Sequence, residues 1–250
     1  MKSPWLLGRA LWKLLRLLLH IFDGLLTIWW RFPKLTPLQR EARVQAWAAG
    51  MLGKLGITPV VRGTPAPGGP MLLVANHISW LDIPVLHAAR YCRFVSKADV
   101  RQWPLIGTLA TAAGTLYIER ESRRDAVRVV HHMAESLRAG EVVAVFPEGT
   151  TSDGVNLLPF HANLLQAAIS VNAPVQPIAL TFLDSASGKR TLAPCYIGDD
   201  TLAGSIWRTL VAPPITAVVN FGAPQEAAGR DRRQWASDLQ NTVSRLREMR

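Results

Sequence analysis

The chain lacks most of the features that would classify it at a glance. Its 250 residues include two cysteines, Cys92 and Cys195, isolated and without CxxC or metal-type spacing. They give no disulfide framework, make a reducing compartment the default, and read as small core residues. There is no G-x-S-x-G elbow, so a serine nucleophile of the hydrolase type is not expected. There is no G-x-x-x-x-G-K-[ST] loop, which argues against nucleotide hydrolysis. His131 and His132 are adjacent on a predicted helix and cannot share a face; without HExxH, no metal site is expected. Acids are scarce: 18 Asp and Glu against 28 Lys and Arg, a formal charge of +10 and a pI near 10.4. That balance favours anionic partners, whether nucleic acid, anionic lipid or phosphorylated small molecules.

Apolar residues make up 49% of the chain and mean hydropathy is +0.13, high for a soluble domain and low for a multi-span membrane protein. The length suits one α/β domain with a sizeable core. Residues 5–30, WLLGRALWKLLRLLLHIFDGLLTIWW, contain no uninterrupted apolar run of the roughly 20 residues a spanning helix needs. Arg9, Lys13, Arg16, His20 and Asp23 interrupt it at a 4-3-4-3 spacing, which stacks them on one stripe of a helix. The spacing predicts a helix lying in a membrane interface, basic stripe toward headgroups, apolar face in the acyl region. Trp5, Trp12, Trp29 and Trp30 suit that zone. Three other readings stay open: a cleaved leader, which the bulky WWRF end disfavours; a tilted span carrying Arg16 and Asp23; and a helix packed on the domain.

A second helix is predicted over Pro37–Leu55, with Thr36 as N-cap, Pro37 at the first position, Gln39 completing a capping box, and Gly56 as the stop. Residues 1–56 thus form a membrane-associated helical pair ahead of an α/β domain at 57–250. In that domain strands are expected at 58–62, 71–75, 92–96, 114–119, 142–146, 174–182, 194–197 and 215–221. Helices are expected at 80–90, 101–112, 123–138, 161–171 and 202–210, with a closing helix from Asp231. The fold class is α/β, a mixed sheet flanked by helices.

Four stretches put unusual polar residues at strand ends: NHISWLD (Asn76–Asp82), GTLYIER (Gly114–Arg120), VFPEGTTSDG (Val145–Gly154) and APVQPIAL (Ala173–Leu180). Ligands of open α/β sheets collect beyond the carboxyl ends of strands. A histidine and an aspartate at such a junction are costly to bury unless paired or used. Each also has a bland reading: His77 as a loop histidine, Asp82 as a first-turn acid favoured by the helix dipole.

Taken in series, these blocks resemble those of the glycerolipid acyltransferases, the lysophosphatidic acid acyltransferase family. They match its N-H-x-x-x-x-D, G-x-x-x-I-x-R and F-P-E-G-T-x-S motifs and its proline-containing fourth block, over roughly residues 70–185. The resemblance implies His77 and Asp82 as the catalytic pair, acting on a lipid hydroxyl that attacks a thioester directly. It implies no cofactor beyond acyl-CoA or acyl-carrier protein as co-substrate. The expected partners are a lysophospholipid acceptor, that donor and an anionic membrane surface, at the cytoplasmic face of the inner membrane; no nucleic acid is expected. The substrate-binding candidates are Asn76, Lys97, Arg120, Glu148, Gly149 and Thr150. Arg120 and Lys97 are anion ligands or, on the bland reading, surface ion pairs. Glu148 orients an acceptor hydroxyl or holds Arg120; Gly149 permits close backbone approach and Thr150 offers a hydroxyl. Pro177 shapes the donor site or is a strand-edge proline.

Two positions depart from the pattern. Thr151 stands where the family has arginine, and His161 where lysine is common. The acceptor that the resemblance implies first is 1-acyl-sn-glycerol 3-phosphate, giving phosphatidic acid; loss of two cations keeps open, as the alternative, an acceptor without a headgroup phosphate, such as lyso-ornithine lipid. A non-catalytic lipid-binding module explains the helix and the charge but not the four motifs. A basic nucleic-acid binder predicts aromatic and basic residues interleaved on one face, whereas the tryptophans cluster at the amino terminus.

Overall fold

A computed structural model describes residues 4–118 and 123–249. The chain opens with α1 (Pro4–Trp30) and α2 (Pro37–Leu55), then alternates β1 (Ile57–Arg62), β2 (Met71–Ala75), α3 (Asp82–Ala89), β3 (Arg93–Lys97), α4 (Ile106–Ala112) and β4 (Leu116–Ile118). It continues through α5 (Arg123–Arg138), β5 (Val142–Val145), α6 (Leu165–Ser170), β6 (Val175–Asp184), α7 (Leu202–Val211), β7 (Ile215–Phe221) and α8 (Arg232–Glu248). The strands form one seven-stranded sheet in the order β1-β7-β6-β2-β5-β3-β4. All neighbours are parallel except β6 and β7, which makes the sheet mixed.

Side-chain alternation sorts the sheet's two faces. Leu73, Ala144, Ile178 and Leu180 face a layer that includes Ala10 and Leu17 of α1, Leu52 and Leu55 of α2, and Leu210 of α7. Leu72, Val74, Val143 and Val145 face Met133 and Leu137 of α5 and Trp235 and Leu239 of α8. Every residue of β2 and β5 is buried, as central parallel strands covered on both faces require. Each fully buried leucine contributes on the order of 1.5–3 kcal/mol of transfer free energy.

The cap expected for α2 is formed: Thr36 Oγ1 accepts from the Gln39 N–H and Gln39 Oε1 from the Thr36 N–H. Such caps contribute about 1 kcal/mol. Gly56 ends the helix at φ +79°. Three expectations change. Residues 194–197 are not a strand: the Tyr196 N–H donates to Ile78 O, and Pro194 O accepts from Ser79 Oγ, so this backbone pairs with the loop after β2. The helix expected at 101–112 is broken, because Trp103 before Pro104 is held extended and Leu105 has φ +63°. The helix expected at 161–171 is a single 3₁₀ turn followed by the short α6.

A fourth change concerns α1. Its stripe was expected to face headgroups, yet much of it faces the protein. Arg9 donates to Ala212 O at 3.2 Å. The His20 Nε2–H donates to Trp47 O at 2.8 Å, and Trp47 Nε1 returns a bond to His20 O at 3.1 Å. Lys13 Nζ lies over Gly56, and burial, with Arg9 close by, lowers its pKa. Arg16 and Asp23 stay exposed. The outward face is apolar instead, with Trp12, Leu15, Leu19, Phe22, Trp29 and Trp30 all exposed. Gly24 allows the close approach of α1 to α2, since a Cβ there would sit 2.5 Å from Trp47 Nε1.

Candidate active site

Strands β2, β5 and β3 run parallel, so the segments leaving their carboxyl ends share one rim of the sheet. His77 leaves β2, Glu148 leaves β5, and Lys97 ends β3. His77 Nδ1 is 2.7 Å from Asp82 Oδ2. The same oxygen accepts the N–H of Ile78 at 2.6 Å and of Ser79 at 2.9 Å, so one buried carboxylate both folds the turn and holds the ring. The five-residue step closes because the chain turns at 78–81 before α3 begins; on a continuous helix the two side chains would point about 140° apart. One face of the imidazole lies on Phe146, with centroids 4.0 Å apart. With Nδ1–H directed to Asp82, the lone pair of the neutral ring is on Nε2. The His77 side chain keeps 19% of its surface exposed while Asp82 keeps none.

Glu148 sits behind His77. Its Oε1 accepts the His77 N–H at 2.7 Å, and its Oε2 accepts the Leu158 N–H at 2.8 Å. Burial pushes its pKa up, and those two N–H groups, His77 and Arg247 pull it down. This carboxylate, expected to orient an acceptor hydroxyl or hold Arg120, ties the His77 loop to the segment after Gly154 through both oxygens. Asn76 also differs from expectation. It is fully buried, with Nδ2 donating to Leu180 O at 3.1 Å and Oδ1 accepting the Leu180 N–H at 2.7 Å. Its amide extends the β2–β6 pairing and does not point toward a ligand.

Gly149 has φ +73°, and the ring of His161 covers it so closely that a Cβ would lie 2.9 Å from Cδ2. Only glycine suits both constraints. Thr150 and Lys97 are exposed. Thr151 Oγ1 donates to Tyr196 O. Arg120 lies outside the described residues.

Comparison with known proteins follows the same lines. Residues 58–181 match the acyltransferase family model. The chain is 39% identical over 204 residues to a 1-acyl-sn-glycerol-3-phosphate acyltransferase of Neisseria gonorrhoeae, covering 81% of this chain and 79% of that one. It is 38% identical over 208 residues to a lyso-ornithine lipid O-acyltransferase of Pseudomonas aeruginosa, covering 83% and 79%. The chain belongs to the acyltransferase family. The fold of this acyltransferase is also that of the crystallised 1-acyl-sn-glycerophosphate acyltransferase of Thermotoga maritima, with TM-score 0.71 at 18% identity over 99% of this chain and 98% of that one.

Sequence reasoning missed three supports of the acyltransferase site. Ser152 donates to His77 O through its backbone N–H at 2.8 Å and its hydroxyl at 3.0 Å. It was visible only as a motif letter. Phe146, read as strand core, is the platform for the imidazole. Arg247, on the closing helix α8, is buried; its guanidinium donates to Gly154 O and, at 3.1 Å, to Val155 O, where the VFPEGTTSDG segment ends. No local pattern announces it, since its partners lie about ninety residues away in sequence.

Proposed function

We propose that the enzyme moves a fatty acyl group from acyl-CoA or acyl-carrier protein to the free hydroxyl of 1-acyl-sn-glycerol 3-phosphate, giving phosphatidic acid. His77 is the general base. Nε2 takes the hydroxyl proton as the oxygen attacks the thioester carbonyl; the tetrahedral intermediate expels the thiolate, and the imidazolium returns the proton to sulfur. Asp82 keeps the ring in the productive tautomer and stabilises the imidazolium. Lys97 and Arg120 are the headgroup cations. The observation that carries this reading is the 2.7 Å contact between His77 Nδ1 and Asp82 Oδ2 at a strand-end rim. General-base assistance of this kind is worth on the order of 10²–10⁴ in rate.

A second acceptor is favoured by one observation. At position 151, where the family carries arginine, this chain has a threonine whose hydroxyl is engaged by Tyr196 O. A lyso-ornithine lipid, lacking the phosphate, needs no cation there. Acyl-donor chemistry and the basic balance of the chain support work at the cytoplasmic face of the inner membrane, on anionic lipid. Among the described residues no helix is long and apolar enough to cross a membrane. The exposed apolar face of α1 supports a monotopic seat in the interface instead.

The test is an acceptor panel with labelled acyl-CoA. Lysophosphatidic acid should be acylated faster than lyso-ornithine lipid, and His77→Ala should abolish transfer to either while vesicle binding persists. Unchanged turnover in that variant ends the catalytic assignment, and the reverse preference transfers the acceptor to the second reading.

A further inference from the structure

The segment from Trp103 to Ile106 is built to hold apolar side chains away from the protein. Trp103, Leu105 and Ile106 are 41%, 51% and 37% exposed. The segment is closed by its own backbone: Ile106 N–H donates to Pro104 O at 2.7 Å and Gly107 N–H to Trp103 O at 2.8 Å. The first of these bonds spans two residues around Leu105, at φ 63° and ψ −50°. That is a γ-turn of the rare, strained hand. Gly107 anchors it from beneath, because a Cβ there would lie 2.1 Å from Arg101 O. Strain that displays a leucine to solvent is not explained by packing, and strain of this kind collects where the chain meets a ligand.

The position of the segment indicates what it meets. It follows the carboxyl end of β3, the rim that also carries His77 and Glu148. The antiparallel pairing of β7 with β6 brings Ile215, the start of β7, to the same end of the sheet, opposite Asp184 and beyond Ile178, the partner of Ala75 at the end of β2. Arg9 of α1 bonds Ala212 just before that start, and Lys13 covers Gly56, whose carbonyl accepts the Ile215 N–H. The amino-terminal half of α1 is therefore docked at the end of the sheet that carries the catalytic rim, and α4, which begins in the strained segment, packs against α1. Lys97 and Arg101 are exposed beside it, with Asp99 the single acid between them. Exposed apolar side chains preceded by two exposed cations suit an anionic lipid surface, with tryptophan at the level of the headgroups.

We propose that Trp103–Ile106 is a second membrane contact, inserting into the same leaflet as the outward face of α1 and turning the mouth of the catalytic rim toward the bilayer. The proposal rests on the membrane reading of α1 above. A bilayer held at two separated points fixes the tilt of the protein as well as its attachment. The acceptor's hydroxyl then meets His77 while its acyl chain stays in lipid.

The experiment places a single environment-sensitive fluorophore at Leu105→Cys in the full-length enzyme. Native Cys92 and Cys195 are buried, their thiol pKa values raised to about 12 and about 11, so labelling is selective. With vesicles of phosphatidylethanolamine and phosphatidylglycerol containing doxyl-labelled lipid, emission at 105 should shift to the blue and be quenched. Parallel labels go at Leu18→Cys on α1 and Val127→Cys on α5, which covers the opposite face of the sheet. Quenching at 18 and 105 but not 127 supports the proposal. Quenching at 18 alone overturns it and leaves α1 as the anchor; quenching at neither overturns the membrane reading itself. Protection of 105 by acyl-carrier protein without vesicles assigns the segment to the donor and also overturns the proposal. A second variant guards against misfolding: Leu105→Gly relieves the positive φ, so it should raise the thermal midpoint while weakening vesicle binding by roughly tenfold. Unchanged binding in that variant counts against the proposal.

Discussion

The imidazole of His77 lies flat against Phe146, with ring planes 7° from parallel, while Asp82 Oδ2 holds its Nδ1 edge. Because that one oxygen receives the ring and two backbone N–H groups, an asparagine with its carbonyl there preserves all three bonds, loses the charge, and places its NH2 where the buried Oδ1 has no hydrogen-bond partner among the described residues. Asp82→Asn should therefore lower kcat by on the order of 10², and Asp82→Ala, which frees the ring, by on the order of 10⁴. Initial rates of labelled acyl transfer separate the two; equal losses would mean that orientation contributes nothing.

Thr151→Arg restores a cation to the FPEGT loop. Its expected effect is a rise in the ratio of lysophosphatidic acid to lyso-ornithine lipid turnover, by about tenfold, the value of one added charge-assisted phosphate contact. Competition between the two acceptors in one reaction reads the ratio directly.

Arg247→Leu removes the guanidinium from the carbonyls of Gly154 and Val155 and from the neighbourhood of the buried Glu148. It should lower stability by about 2–4 kcal/mol. In a Glu148→Gln background the loss should be smaller, because the charge that Arg247 faces is gone. Urea unfolding of the four proteins of the cycle measures the coupling.

His87 supplies a pH dependence of the fold. Burial in the last turn of α3 pushes its pKa down from 6.5 to about 4, and its Nδ1 has no hydrogen-bond partner among the described residues. Between those values the unfolded chain binds a proton that the folded chain refuses, so stability falls as pH drops through that window, by about 3 kcal/mol in full. His87→Leu should shrink the difference in urea midpoint between pH 7 and pH 4.5.

On α1 the two faces should respond oppositely. Phe22→Glu, on the exposed side, should keep the thermal midpoint and release the enzyme from vesicles of anionic lipid. Leu17→Glu, 3% exposed and part of the core, should unfold the protein whether or not lipid is present.

The sheet strands and the start of α2 could be anticipated from the amino-acid order because their signals are local, buried apolar runs and a capping box, whereas the pairing of His77 with Asp82 came with the resemblance of the motifs taken in series. What could not be anticipated depended on distant partners. The stripe of α1 has the right period, but period does not say which side meets protein, and Trp47, Gly56 and Ala212 decide it. That Glu148 binds the N–H groups of both His77 and Leu158 was not legible either, since Leu158 lies ten residues further on. The 194–197 run has strand composition, yet the turn after β2 needs its carbonyl and N–H groups and takes them.

The cross-bonded pair of His20 and Trp47, closed over Gly24, has one further consequence. A helix whose ring and carbonyl are both committed to its neighbour cannot unhinge and sink into lipid alone. With α1 seated in the interface and His77 as general base, as proposed above, anchor and catalyst would ride as one body, and the altitude of the imidazole above the hydrocarbon would be a constant of the protein. Acceptors with long or short tails would bring their hydroxyls to the same height, and discrimination between them would have to come from elsewhere than the depth of the dip.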